Sequence, residues 1–133
     1  MPVITVGDLV KASFKSGEYI GEVVELTERK AAVRVLAVLK HPAQGDLHHP
    51  RRADVNLFHQ RRALAYQEIA LMPLPTLLLY SGVIPDYKQS LKAALELEIG
   101  ELREQLHYAS RALDELRILQ QDYFSREDSG DDK

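Results

Sequence analysis

The sequence predicts an α+β protein, a small β-barrel followed by a C-terminal helical hairpin, and two patterns carry that expectation. In the first forty residues short apolar runs are parted by polar turns, and Val33, Val35, Ala37 and Leu39 recur at every second position, the period of a strand with one buried face. After Ser81-Gly82-Val83-Ile84-Pro85 the period changes to three and four, which gathers apolar residues on one helical face. The expected boundaries are 1–82 for the barrel with a long loop over 40–62, 83–126 for the hairpin, and 127–133 for a polar, disordered tail.

The first strand is expected over Asp8 to Phe14, after which Lys15-Ser16-Gly17 supplies turn chemistry. Glu18 to Leu26 follows, with Gly21 marking a bulge or sharp bend. Past Thr27-Glu28-Arg29-Lys30, the run Ala31 to Lys40 places Val33, Val35, Ala37 and Leu39 on one face. A three-stranded meander must curl to bury that face, and barrel closure also removes its edges. From His41 to about Arg62 the alternation stops, in a stretch punctuated by Pro42, Gly45 and Pro50. A connection that long in a compact domain is usually functional or packed as an Ω-loop. Val55, Leu57 and Phe58 are expected to pin it to the core. Ala63 to Ile69 reads as a strand and Thr76 to Tyr80 as a last short one, while Pro73 and Pro75 argue against a central-strand position for 72–75. Asp86 is placed to cap a helix whose apolar residues are Leu91, Leu95, Ile99, Leu102, Leu106, Ala109, Leu113, Leu116 and Tyr123. A single helix would expose that stripe, so a turn near His107 to Ser110 is expected to fold it into a hairpin.

Composition excludes several classes. With no cysteine among 133 residues there is no disulfide, no thiolate nucleophile and no thiolate-bound zinc. The N-terminus lacks the basic and apolar regions of a signal peptide, and no apolar run is long enough to span a bilayer, so a cytoplasmic protein without direct membrane insertion is expected. The net charge of −3 is unevenly spread: −3 over residues 1–28, +6 over 29–62 and −5 over 86–133. Such polarity steers partners and says nothing of fold.

The basic middle holds the residues that could carry chemistry. His41, His48, His49 and His59, with Asp46 and Asp54, are ligand types for zinc or iron, but no pair has a metal-binding helical spacing. His41 with Asp46, or His48 with Asp54, could form an acid–base pair, yet no nucleophile or phosphate-loop motif accompanies them. Arg51-Arg52 and Arg61-Arg62, with Arg29, Lys30, Arg34 and Lys40, could bind nucleic acid if Tyr19, Phe58 or Tyr66 stacked bases. A sequence pI near 5.9 opposes that reading. Neither catalysis nor a cofactor is expected, and nucleic acid is not the expected partner.

Three segments give the chain a resemblance. They are Lys11 to Glu22, with Phe14-Lys15-Ser16-Gly17-Glu18-Tyr19 inside it; Val35 to Tyr66, including Lys40-His41-Pro42-Ala43-Gln44-Gly45-Asp46 and Phe58-His59-Gln60-Arg61-Arg62; and Ile84-Pro85-Asp86-Tyr87-Lys88-Gln89-Ser90-Leu91, with Asp122-Tyr123-Phe124 near the end. In these the chain resembles the kinase-associated protein B family of spore-forming bacilli over roughly residues 5–125. The resemblance implies an SH3-like barrel followed by a helical region. It also implies a non-catalytic accessory protein that supports a sensor histidine kinase feeding the sporulation phosphorelay. Family names often include the word lipoprotein; with no cysteine to lipidate, the expected place is the cytoplasm, or the inner face of the membrane through the kinase.

The contact with that kinase is expected in the loop from Lys40 to Arg62, through His41, Asp46, His48, Arg51, Arg52, His59, Arg61 and Arg62. The arginines would provide steering and charge-assisted bonds to acidic groups. A two-helix layer rarely buries all its apolar surface, so either a further partner or a second copy of the chain, giving a homodimer, is expected to complete its cover.

Overall fold

In the computed structural model, which describes residues 3–128 and side chains through Ser125, the first three strands fall where the alternation places them. They are β1 (Leu9–Phe14), β2 (Gly17–Leu26) and β3 (Lys30–Lys40). Phe14 pairs with Gly17, which leaves Lys15 and Ser16 as a two-residue hairpin, both at positive φ, 45° and 73°. That backbone twist is the one that suits a tight β-hairpin. After the long loop come β4 (Ile69–Pro73), one 3₁₀ turn (Leu74–Thr76), β5 (Leu78–Leu79) and a helix α1 (Tyr87–Asp128).

The strands form one antiparallel sheet in the order β4-β3-β2-β1-β5. The β2–β3 ladder slips register at three places, one of them between Ile20 and Gly21, which bends the ribbon where the glycine suggested it would. A Cβ on Gly21 would lie 2.5 Å from the Arg34 carbonyl oxygen, so only glycine permits the approach. The bend brings β1 and β4 against one another, and between the layers lies a core that includes Val10, Ala12, Tyr19, Val23, Val33, Val35 and Met72.

The expected closed barrel is not what the ladders form. No ladder joins β4 to β5 among the described residues, so the sheet is open, with β4 and β5 as its edges. Both edges are short, the common alternative to closure for limiting edge-to-edge pairing. Pro73 ends the edge strand β4, which accommodates a residue without an N–H.

Two further expectations are corrected. Ala63 to Ile69 is not a strand, because Ala65 to Glu68 turns: Glu68 N–H donates to the Ala65 carbonyl, Ala65 N–H donates to the Glu68 carboxylate, and Gln67 sits at φ 68°. The turn docks on β3 through bonds in both directions between Val35 and residues 67–68. The helical hairpin is one helix, 42 residues long. Nothing at His107 to Ser110 can stop a helix, since Ala109 is the strongest helix former and no proline or capping glycine follows. Asp86 caps its start, its carboxylate accepting from the Gln89 N–H at 3.1 Å. The chain divides into two compact units, one reaching Glu98 and the next beginning at Ile99. Of the expected tail, residues 127 and 128 continue the helix backbone and 129–133 lie outside the described residues.

Within the first unit, the start of α1 completes the β layer. Ser90 is buried, and its hydroxyl accepts from the Val38 N–H at 3.0 Å, a strand donor beyond the reach of the β3–β4 ladder. Tyr87 and Tyr19 hold Leu64 from both sides. The Tyr87 hydroxyl donates to the Leu64 carbonyl, and the Leu64 N–H donates to the Tyr19 hydroxyl. Burial pushes both phenols above their ordinary pKa, so they stay neutral and fixed in this role.

Candidate partner-binding loop

The segment between β3 and β4 is a loop stapled at its neck by Gln44 and Arg61. The Gln44 amide donates to the carbonyls of Pro42 (3.1 Å) and Arg61 (2.8 Å), and accepts from the Arg61 N–H at 2.7 Å. The Arg61 guanidinium donates across the neck to the carbonyls of Ala43 (2.9 Å) and Gly45 (3.1 Å). Gly45 N–H donates to the His59 carbonyl, and the Phe58 ring lies over Gly45, which has φ 98°. Ser16, from the β1–β2 hairpin, accepts from the Ala43 N–H and ties the loop's entry to the sheet. A closed neck of this kind makes an Ω-loop.

Asp46 builds the next turn. Its carboxylate accepts from the His48 N–H at 2.9 Å and lies 3.0 Å from the His49 ring nitrogen, while its carbonyl accepts from the His49 N–H. These hydrogen bonds hold the Asp46 carboxyl below the usual carboxylate range, the His49 bond contributing most.

The eight residues expected to form the contact thus divide by role. Asp46 and Arg61 are occupied by the loop's own backbone, and the His41 ring is half-buried and donates to the Pro42 carbonyl. His48, Arg51, Arg52, His59 and Arg62 are exposed. Arg51 adopts φ 64°, which turns the chain at the tip. Of the three residues expected to pin the loop to the core, Val55 is half-buried, but for Leu57 and Phe58 the expectation is overturned: they are 65 % and 58 % exposed. The polar staple holds the loop instead, and Leu57 and Phe58 are left at the surface. Gln44, read from the sequence only as part of the segment Lys40 to Asp46 and not among the expected contact residues, is the residue that closes the neck with Arg61.

Two other chemistries gain no geometric support. Among the described residues no group of three or more His, Asp or Glu side chains is placed to hold a metal ion. Of the three aromatics considered for base stacking, Tyr19 is buried in the core and Tyr66 rests against the Tyr87 ring at 5.7 Å. Phe58 is an exposed ring that rests on Gly45 in the loop. Among the described residues no helix is long and apolar enough to cross a membrane.

The family model described as kinase associated protein B matches residues 14–124, a span that contains the hairpin, the whole stapled loop and most of α1. The chain belongs to the kinase-associated protein B family. A Bacillus subtilis (strain 168) member, named kinase-associated lipoprotein B, is 44 % identical over 127 residues, covering 95 % of this chain and 99 % of that one. The crystal structure of kinase-associated protein B from Bacillus cereus is similar with a TM-score of 0.65 at 37 % identity, covering 91 % of this chain and 98 % of that one. The loop and its staple therefore lie inside the region that defines membership of the kinase-associated protein B family.

Proposed function

We propose that this protein is a non-catalytic accessory factor that binds a sensor histidine kinase of the sporulation phosphorelay and supports its activation. The observation that carries this reading is the kinase-associated family match over residues 14–124. The loop supplies the chemistry. It exposes Arg52 and Arg62 as well as the apolar Leu57 and Phe58, a composition that suits an acidic protein surface with an apolar centre. Its backbone is stapled before binding, so little ordering entropy opposes the contact. The strand order and the single 3₁₀ turn between β4 and β5 favour an SH3-like description of the sheet, a frame that commonly presents its loops to partners. The protein acts in the cytoplasm and reaches the inner face of the membrane through the kinase.

The test is recovery of partners by the tagged full-length chain from source cells entering starvation, with an Arg52→Glu/Arg62→Glu protein beside it. Recovery of a sensor kinase by the first and not the second supports both the role and the loop. Equal recovery by both removes the loop as the contact and keeps the role. Absence of any kinase from the wild-type eluate counts against the role itself.

A further inference from the structure

From Ile99 onward α1 carries an apolar stripe that is largely in contact with water: Leu106 is 72 % exposed, Leu116 60 % and Tyr123 63 %. A helix of this length does not hold so continuous an apolar face in solution without cover. The spacing says what form the cover takes. Ile99, Leu102, Leu106, Ala109, Leu113, Leu116, Gln120 and Tyr123 follow one another in alternating steps of three and four, without a break. Their mean step is three and a half residues, so the stripe would drift around a straight helix and stays in line only in a left-handed supercoil. The run exceeds three heptads, the length at which such a repeat argues for a coiled coil.

The flanking positions identify the other strand. Ile99, Leu106, Leu113 and Gln120 are the a positions of this repeat, and when two copies of the helix run parallel and in register, each residue preceding an a position faces the residue five further along on the other copy. Glu98 then faces Arg103 of the second copy, and Leu119 faces Phe124 of the second copy, each pair occurring twice by symmetry. Running antiparallel with the seam fully overlapped, Arg103 would face Arg117 of the second copy and Leu119 would face Gln105, which is like charge against like and apolar against polar. Gln120, the one polar seam residue, meets its own equivalent only in the parallel arrangement, where a polar a position fixes register.

We propose that the protein is a parallel homodimer joined by a two-stranded coiled coil of α1, with its seam from Ile99 to Tyr123. This goes beyond the kinase-associated role and does not depend on it.

Light scattering on the full chain at tens of micromolar, where mass action favours association, measures the mass directly. A mass twice the 15.1 kDa of one chain is expected, and the Leu106→Glu/Leu113→Glu protein is expected at one chain mass with a wild-type thermal transition for its sheet. Because the chain has no cysteine, Gln120→Cys gives a clean report of strand direction. Mild oxidation is expected to link its two copies through facing seam positions, and Leu106→Glu/Leu113→Glu added to it is expected to prevent the link. A monomeric wild type overturns the proposal, as does a dimer that survives the seam substitutions. A dimer that depends on the seam but gives no Gln120→Cys link overturns the parallel arrangement.

Discussion

The β2–β3 ribbon and the loop that follows it are neighbours in the chain, yet they are held by opposite physics. The ribbon is secured by removing apolar surface from water: Ile20, Val23, Ala31, Val33, Val35 and Ala37 are all fully buried. The loop buries Pro42 but leaves Leu57 and Phe58 exposed, and it is held by hydrogen bonds between Gln44, Arg61, Asp46 and backbone groups. The ribbon's buried side chains are closed to a partner. The loop's interactions are spent on the backbone, which keeps its side chains Leu57, Phe58, Arg52 and Arg62 at the surface. A contact surface can therefore be firm without being buried, provided the bonds that fix it lie at its neck.

The largest expected effect is on the ribbon. Gly21→Ala places a methyl group 2.5 Å from the Arg34 carbonyl oxygen and from a Val33 methyl, and the first of these is backbone that cannot step aside. The cost is expected at about 3 kcal/mol, the upper range for overpacking a close-packed site, seen as a global fall in the denaturation midpoint. A loss below about 0.5 kcal/mol, the size of an ordinary surface change, would mean that the bend is not held by that approach.

A smaller and different effect is expected at the staple. Arg61→Ala removes the guanidinium from the carbonyls of Ala43 and Gly45, at the partly exposed neck. Its expected cost is about 1 kcal/mol in global stability, because water can take over at carbonyls that are partly exposed. Hydrogen exchange is expected to quicken at the Gly45 and Arg61 amides while β2 and β3 keep their protection. Exchange that quickens equally in the ribbon would show that loop and sheet open as one unit, and the contrast drawn above would fail.

The same contrast explains what could be read from the sequence. Strands β1 to β3 announce themselves because polar turns part β1 from β2 and β2 from β3 and because Val33, Val35 and Ala37 keep a two-residue step in β3, and Asp86 announces the helix because a cap must precede it in the chain. Such signals are local. The staple is not local, since Gln44 and Arg61 are 17 residues apart and bond to carbonyls that carry no side-chain signature. Leu57 and Phe58 were expected inside on polarity alone, which cannot register that the neck was already closed by other groups. The hairpin expectation fails because an apolar stripe does not by itself encode a turn, and no residue at 107–110 stops the helix. Lys15 and Ser16 show a further limit, for their positive φ values come from hairpin twist and neither residue type signals it.

The smallest expected effect sharpens the comparison most, because it should touch the loop alone. The Asp46 carboxyl titrates below its ordinary value of 3.8, since its charged form accepts bonds from the His49 ring and the His48 N–H. A carboxylate whose folded pKa lies below its unfolded one stabilises the fold fully above the unfolded value, and the benefit is lost as pH falls through the folded one. The turn at residues 46–49 is therefore expected to hold at neutral pH and to loosen only on acidification past the ordinary aspartate range. The Asp46 group is too open to water for this to move global stability much. Amide shifts of His48 and His49, followed against those of Val33 and Val35 from neutral pH into the acid range, read the two regions separately. The loop signals are expected to change first. Asp46→Asn keeps an oxygen that accepts from the His48 N–H but cannot be protonated in this range, so the acid step in those signals should vanish. A step that persists in the Asp46→Asn protein would assign the titration to another group, and the loop's stiffness would then owe nothing to the Asp46 charge.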